Sequence, residues 1–151
     1  MTEPDREAVV RSLLTERTVD IITTGRRSGE PRTTEIWTTV IDGQVLLCGT
    51  PNASKPGVVH QPRDWLANLL ATSEFILRLK TTVEVELTAL ADPVRDTDQR
   101  TRILSAPQSA YYANQVDFET AVAHSPVVTV TFTGDAAWLH DELVGLSTVL
   151  D

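Results

Sequence analysis

Asp42-Gly43 stands between two β-rich runs, Arg32 to Ile41 and Gln44 to Gly49, and no other feature constrains the fold as strongly. A two-residue Asp-Gly loop matches the twist of antiparallel strands, so this stretch predicts a hairpin. Val19 to Thr24 reads as a short buried strand before it, joined through Gly25 to Pro31, a turn punctuated by two glycines and a proline. Glu74 to Lys80 and Val83 to Ala91 read as two more strands across a tight turn. In the second, Val83, Val85, Leu87 and Leu90 interleave with Glu84, Glu86 and Thr88, the pattern of a half-buried antiparallel strand. Pro126 to Phe132, nearly continuous in Val and Thr, is a sixth strand.

Helical patterns flank these strands. Residues 4–17 carry Val9, Val10, Leu13 and Leu14 on one stripe, with acids near the positive end of the dipole. Pro62 opens a helix to about Ala71 with Trp65, Leu66, Leu69 and Leu70 on its apolar side. Asp96 to Leu104 and Ser109 to Ala123 are expected helices, and residues 136–150 form a terminal helix or tail. The expectation is one domain over residues 1–151: mainly β with peripheral helices, an antiparallel barrel over about 18–133.

Net charge is −8, which disfavours nucleic-acid binding. The charge is uneven: residues 26–80 hold seven basic and five acidic side chains, and the remainder holds six and sixteen. That locally basic segment suits an anionic ligand, while chance surface arginines explain it equally well. Cys48 is the lone cysteine, so no internal disulfide forms. No apolar run reaches the roughly 18–20 residues of a membrane span. No apolar core follows the acidic N-terminus as in a signal peptide. A cytoplasmic protein with no integral membrane segment is expected.

Common catalytic signatures are missing. The chain contains no G-x-G-x-x-G, P-loop or G-x-S-x-G motif, and His60, His124 and His140 lie far apart. Glu84 and Glu86 share one strand face and read better as a solvated barrel surface than as a catalytic pair. Two stretches are informative. Thr23 to Thr34 places Arg26, Arg27 and Arg32 with Ser28 and several threonines around one tight turn. Guanidinium forks suit phosphate and carboxylate, and glycine lets backbone approach a ligand. Arg-Arg-Ser-Gly is also ordinary turn chemistry, so the residues leave an anion site and a solvated turn both open. In the second stretch, Trp65 and Asn68 lie three apart on a helix. They suit a planar ring and its polar edge, or a core tryptophan beside an asparagine bonded to backbone.

Together these stretches, T-T-G-R-R-S-G-E-P-R at Thr23 to Arg32 and R-D-W-x-x-N-L at Arg63 to Leu69, resemble the deazaflavin-dependent nitroreductase family. That family falls within the split β-barrel, FMN-binding-like group that includes pyridoxamine phosphate oxidases. Ser125-Pro126-Val127-Val128 resembles the last barrel strand, and the likeness covers about residues 18–133. The resemblance implies coenzyme F-420 as cofactor, with FMN the alternative, and hydride transfer to a small electron-poor substrate such as a quinone or nitroaromatic. A non-catalytic module for a hydrophobic ligand or haem is a third reading. Arg26, Arg27, Ser28 and Arg32 would hold the phosphate and acidic tail, Thr34 and Thr50 would sit near the ring, and Trp65 and Asn68 would flank it. Tyr111 and Tyr112 resemble substrate-pocket tyrosines. No side chain is assigned as a catalytic acid or base, no metal is implied, and a homodimer is plausible from split barrels at large. The chain departs from the family at Glu30 and Glu35, where relatives often carry a basic or neutral residue and a proline. Carboxylates there repel an anionic cofactor unless they point away. After Cys48 the sequence runs Thr50-Pro51-Asn52-Ala53-Ser54-Lys55-Pro56. Lys55 stands in for a Lys- and Gly-rich segment.

Overall fold

The computed structural model describes residues 5–49, 63–109 and 117–150, with side chains beyond Gly145 left aside. Six antiparallel strands close into a barrel in the order β1-β2-β3-β6-β5-β4. They are β1 (Thr18–Thr24), β2 (Pro31–Ile41), β3 (Gln44–Cys48), β4 (Glu74–Leu79), β5 (Val85–Pro93) and β6 (Val127–Phe132). The expected barrel is therefore present, and closure leaves no sheet edge exposed. Asp42 and Gly43 both take positive φ, 51° and 77°. This is the backbone a two-residue hairpin requires, and it sets the pairing of Ile41 with Gln44.

The helices are α1 (Arg6–Thr15), α2 (Asp64–Ala71), α3 (Thr97–Ser105), α4 (Phe118–His124) and α5 (Trp138–Leu150). Asp5 caps α1 by accepting from the Glu7 N–H, so that helix starts two residues later than its apolar stripe suggests. Asp96 caps α3 as expected, accepting from the Gln99 N–H. The single helix expected over Ser109 to Ala123 is corrected. Pro107–Ser109 is a 3-10 turn, and α4 begins at Phe118, where Asp117 caps it through the Thr120 N–H. β5 is shifted by two residues from its expected bounds, because its pairing with β6 continues to Pro93 opposite Val128.

The barrel interior takes alternate residues from every strand, among them Val19, Ile21, Leu47, Leu77 and Val130. Side chains from α1, α2 and α5 join this cluster, including Leu13, Leu69 and Leu139. β3 is buried on both faces, and β6 only at its start, since Thr129 on its outer side is half-buried and Thr131 exposed. Leu46, Cys48 and Val127 form a second cluster with Ile103 and Leu104 of α3 and Ala121 of α4. Double burial explains why β3 reads as a continuous apolar run. By contrast, the outer face of β1, β4 and β5 carries Asp20, Arg78 and Glu86.

The register defines two rims. β1, β3 and β5 end, and β2, β4 and β6 begin, at one rim, where α2 leads into β4. At the other rim α1 packs against α5, with the Arg6 guanidinium 4.7 Å from the centre of the Trp138 ring.

Candidate functional site

The β1–β2 turn projects from the α2 rim. Gly25 N–H donates to the Glu30 carbonyl and Gly29 N–H to the Gly25 carbonyl, both at 2.8 Å, closing a small loop. Gly29 holds φ at +73°, a conformation that favours glycine. Gly25 is needed for a different reason. A Cβ there would stand 2.7 Å from Ser28 Oγ, 3.2 Å from the Glu30 carbonyl and 3.5 Å from Arg32 Nε. Ser28 and Arg32 thus converge over a backbone that only glycine leaves open. Ser28 Oγ accepts from the Glu30 N–H at 3.1 Å and keeps its own proton for another acceptor.

Helix α2 anchors this turn through Asn68, which is 6% exposed. Its Oδ1 accepts from the Arg26 backbone N–H at 3.0 Å, and its Nδ2 donates to Thr23 Oγ1 at 3.2 Å. The same Oδ1 lies 3.5 Å from Arg26 Nη1, and Arg26 Nη2 is 3.6 Å from the Asp64 carboxylate. One helical turn therefore fixes both the backbone and the side chain of Arg26. Asn68 spends its polar atoms on protein. Trp65, 8% exposed, packs into the main core. The pair sits at the base of the turn, with little tryptophan surface open to a ligand.

Arg27 and Arg32 are exposed and form no ion pair with any described residue. Alternation places Arg32 and Thr34 on the same face of β2 as Ile36, opposite Thr23, Ile21 and Val19 in turn. Thr33 and Glu35 occupy the other face. Glu35 is accordingly held away from the arginines by Lys80, whose Nζ also bonds Asp20 at 2.7 Å. Those two carboxylates raise the Lys80 pKa, Asp20 contributing more. Glu30 stays exposed on the turn itself, without an ion-pair partner among the described residues.

Thus the structure brings together Arg26, Arg27, Ser28, Arg32, Thr34, Trp65 and Asn68 at one rim. Thr50, Tyr111 and Tyr112 lie outside the described residues, as does Lys55. Thr23, Gly25 and Asp64 complete the arrangement and were not predicted as site residues. Thr23 and Asn68 are 45 positions apart, and no local spacing signals that bond. Among the described residues no group of three His, Cys, Asp or Glu side chains could hold a metal ion.

The fold is shared with solved structures of low sequence identity. One is a candidate 5-nitroimidazole antibiotic resistance protein of Bacteroides thetaiotaomicron. It has a TM-score of 0.59 and 13% identity, over 89% of this chain and 83% of that one. A candidate pyridoxamine 5'-phosphate oxidase of Listeria innocua matches at 0.58 and 8%, over 85% and 94% of the two chains. A FAD-binding protein of Mesorhizobium loti matches at 0.58 and 10%, over 89% and 93%. No curated protein sequence gives a significant match. These likenesses define the class: a split β-barrel of the pyridoxamine phosphate oxidase-like type. Within it the chain belongs to the F420H(2)-dependent quinone reductase family, whose sequence model matches residues 5–131. The family's designation gives reduced coenzyme F-420 as its cofactor.

Proposed function

We propose that this protein is a reductase that uses F-420 to reduce a small electron-poor organic acceptor, a quinone or nitroaromatic. The anionic part of the cofactor would be held at the β1–β2 turn. One observation carries the assignment of the site. Arg32 stands over the Gly25 backbone, and neither it nor exposed Arg27 forms an ion pair with a described residue, on a turn whose position Asn68 fixes from below. A surface turn without a ligand has no need for a buried side-chain clamp. A site for an anion gains from one, because donors already in place lose little freedom on binding.

The residues present fit an anionic group of this kind. Two guanidinium forks without an ion pair among the described residues and the Ser28 hydroxyl supply charge-assisted and neutral donors. Gly25 leaves backbone accessible, and Glu35 points to the other face. Arg26, already shared with Asp64, contributes field and backbone order more than a direct bond. When bound, the deazaflavin supplies the hydride chemistry, and the protein contributes position and electrostatics. No described side chain at this rim is placed as a proton donor. The chain's own contribution is orientation, which accounts for a large share of many enzymatic accelerations.

The test is titration of the purified protein with F-420 and with FMN, each followed by cofactor fluorescence, then turnover with a benzoquinone series. Saturable F-420 binding, weaker FMN binding and F-420H2-dependent quinone reduction are the expected results. FMN binding in preference to F-420 would move the protein to the flavin-dependent branch of the same fold. Binding of neither would overturn the reading.

A further inference from the structure

A second concavity opens at the same rim, across α2 from the arginine turn. It has a volume of about 400 Å³, and Leu66 and Leu70 form part of its lining. On an α-helix these residues lie about 40° apart, while Leu66 and Asn68 lie about 200° apart. One face of α2 therefore anchors the turn and the opposite face borders the cavity. Leu70 is 47% exposed, unusual for a leucine beside a packed barrel. Its remaining lining comes from the end of β5, α3 and the junction of α4 with β6. There Arg95, Arg100, His124 and Ser125 bring the polar atoms, and no carboxylate side chain stands among the described lining residues. In a chain of net charge −8, two arginines and no acid among those residues invert the local sign.

Arg100 is the informative group. Its guanidinium donates to the carbonyls of Val122 at 2.7 Å and Val94 at 2.8 Å, and to that of Ser125. The Val122 and Ser125 acceptors sit at the C-terminal end of α4, so the charge completes that helix terminus. These bonds use three of five N–H groups and leave one on each terminal nitrogen. No described carboxylate pairs with Arg100, and burial lowers its pKa below the ordinary arginine value. Helix capping explains the three bonds. It does not explain the half-open Leu70 or the exposed Arg95 on the same cavity.

We propose that this cavity binds a small organic anion with an apolar body, an aromatic or branched aliphatic monocarboxylate. Its carboxylate would meet Arg95 and the remaining Arg100 donors, and its body would cover Leu66 and Leu70. The proposal does not rest on the cofactor reading.

Calorimetric titration with 2-naphthoate and its uncharged isostere 2-naphthamide tests it. The variants are Arg95→Glu, Leu70→Asp and the double change Arg27→Ala with Arg32→Ala. Arg100 is left intact because α4 depends on it. The expected result is one naphthoate per chain, bound at least tenfold more tightly than naphthamide. Arg95→Glu and Leu70→Asp should each weaken it at least tenfold, and the double change at the turn should leave it unaltered. Equal affinity for acid and amide, no saturable binding, or a loss confined to the turn variant would each overturn the proposal. F-420 affinity measured on the same variants reads the turn separately.

Discussion

Two regions of the barrel carry arginines beside carboxylates and put them to opposite use. On the outer face of β1, β4 and β5, Asp20 meets Lys80 at 2.7 Å and Arg78 at 3.8 Å. Glu86 lies 3.9 Å from the same Arg78, and Glu35 closes on Lys80. Each of these charges has a partner, and the network is satisfied within the protein. At the β1–β2 turn Arg27 and Arg32 have no such partner among the described residues, although Glu30 sits between them in sequence. Composition is similar in the two places. Register makes the difference, since it turns Glu35 to the outer face and leaves Arg32 with Thr34 on the inner one. The proposed anion site lies where register withholds the counter-charge.

The comparison can be broken by substitution. The largest effect is expected from the double change Arg27→Ala with Arg32→Ala. A hydrogen bond to a charged group contributes about 1.5–3 kcal/mol, so each arginine should account for roughly ten- to a hundred-fold in F-420 affinity. Fluorescence titration measures the loss, and thermal unfolding should move little, as exposed sites usually change stability by less than about 0.5 kcal/mol.

Asn68→Ala should cost stability as well as affinity. It leaves the Arg26 N–H without its acceptor, a loss of about 1–3 kcal/mol for a buried group, visible in urea denaturation. Gly25→Ala should act in the same range, about 1–3 kcal/mol, through overpacking against Ser28 and the Glu30 carbonyl. Smaller effects separate the two carboxylates. Glu30→Gln should tighten F-420 binding by a few-fold, within the roughly 0.2–1 kcal/mol typical of exposed pairs. Glu35→Gln should leave binding unchanged, because Lys80 already holds that carboxylate on the far face.

The smallest prediction concerns pH. The Lys80 pKa is raised in the folded protein. Its stabilising contribution is therefore complete below the unfolded value of about 10.4 and is lost as pH rises through the higher folded value. Lys80→Met should unfold at a lower temperature than the parent at pH 8, with the difference shrinking above pH 11.

Much of this architecture was legible in the residues. Asp42-Gly43 and the alternation along β5 identified antiparallel strands, and the two motif stretches led to the rim that the structure assembles. The boundaries that moved did so for local reasons: Asp117 caps α4, and pairing with β6 carries β5 two residues further along the chain. What stayed hidden was the direction of side chains across the barrel. Asn68 and Trp65 read on a helical wheel either as a ring-binding pair or as a core tryptophan beside an asparagine bonded to backbone, and the wheel alone does not choose. Folded, Asn68 turns to Thr23 and Arg26, and Trp65 joins the core. The orientation of Glu35 follows from strand register, which a charge count cannot supply.

The most direct measurement removes one positive charge from each region. F-420 affinity should be compared for Arg32→Ala and Arg78→Ala at two salt concentrations. The account predicts a ten- to hundred-fold loss for Arg32→Ala. It predicts parental affinity for Arg78→Ala, whose charge is spent on Asp20 and Glu86. Equal losses in the two variants, or none in either, would contradict the assignment of the turn as the anion site.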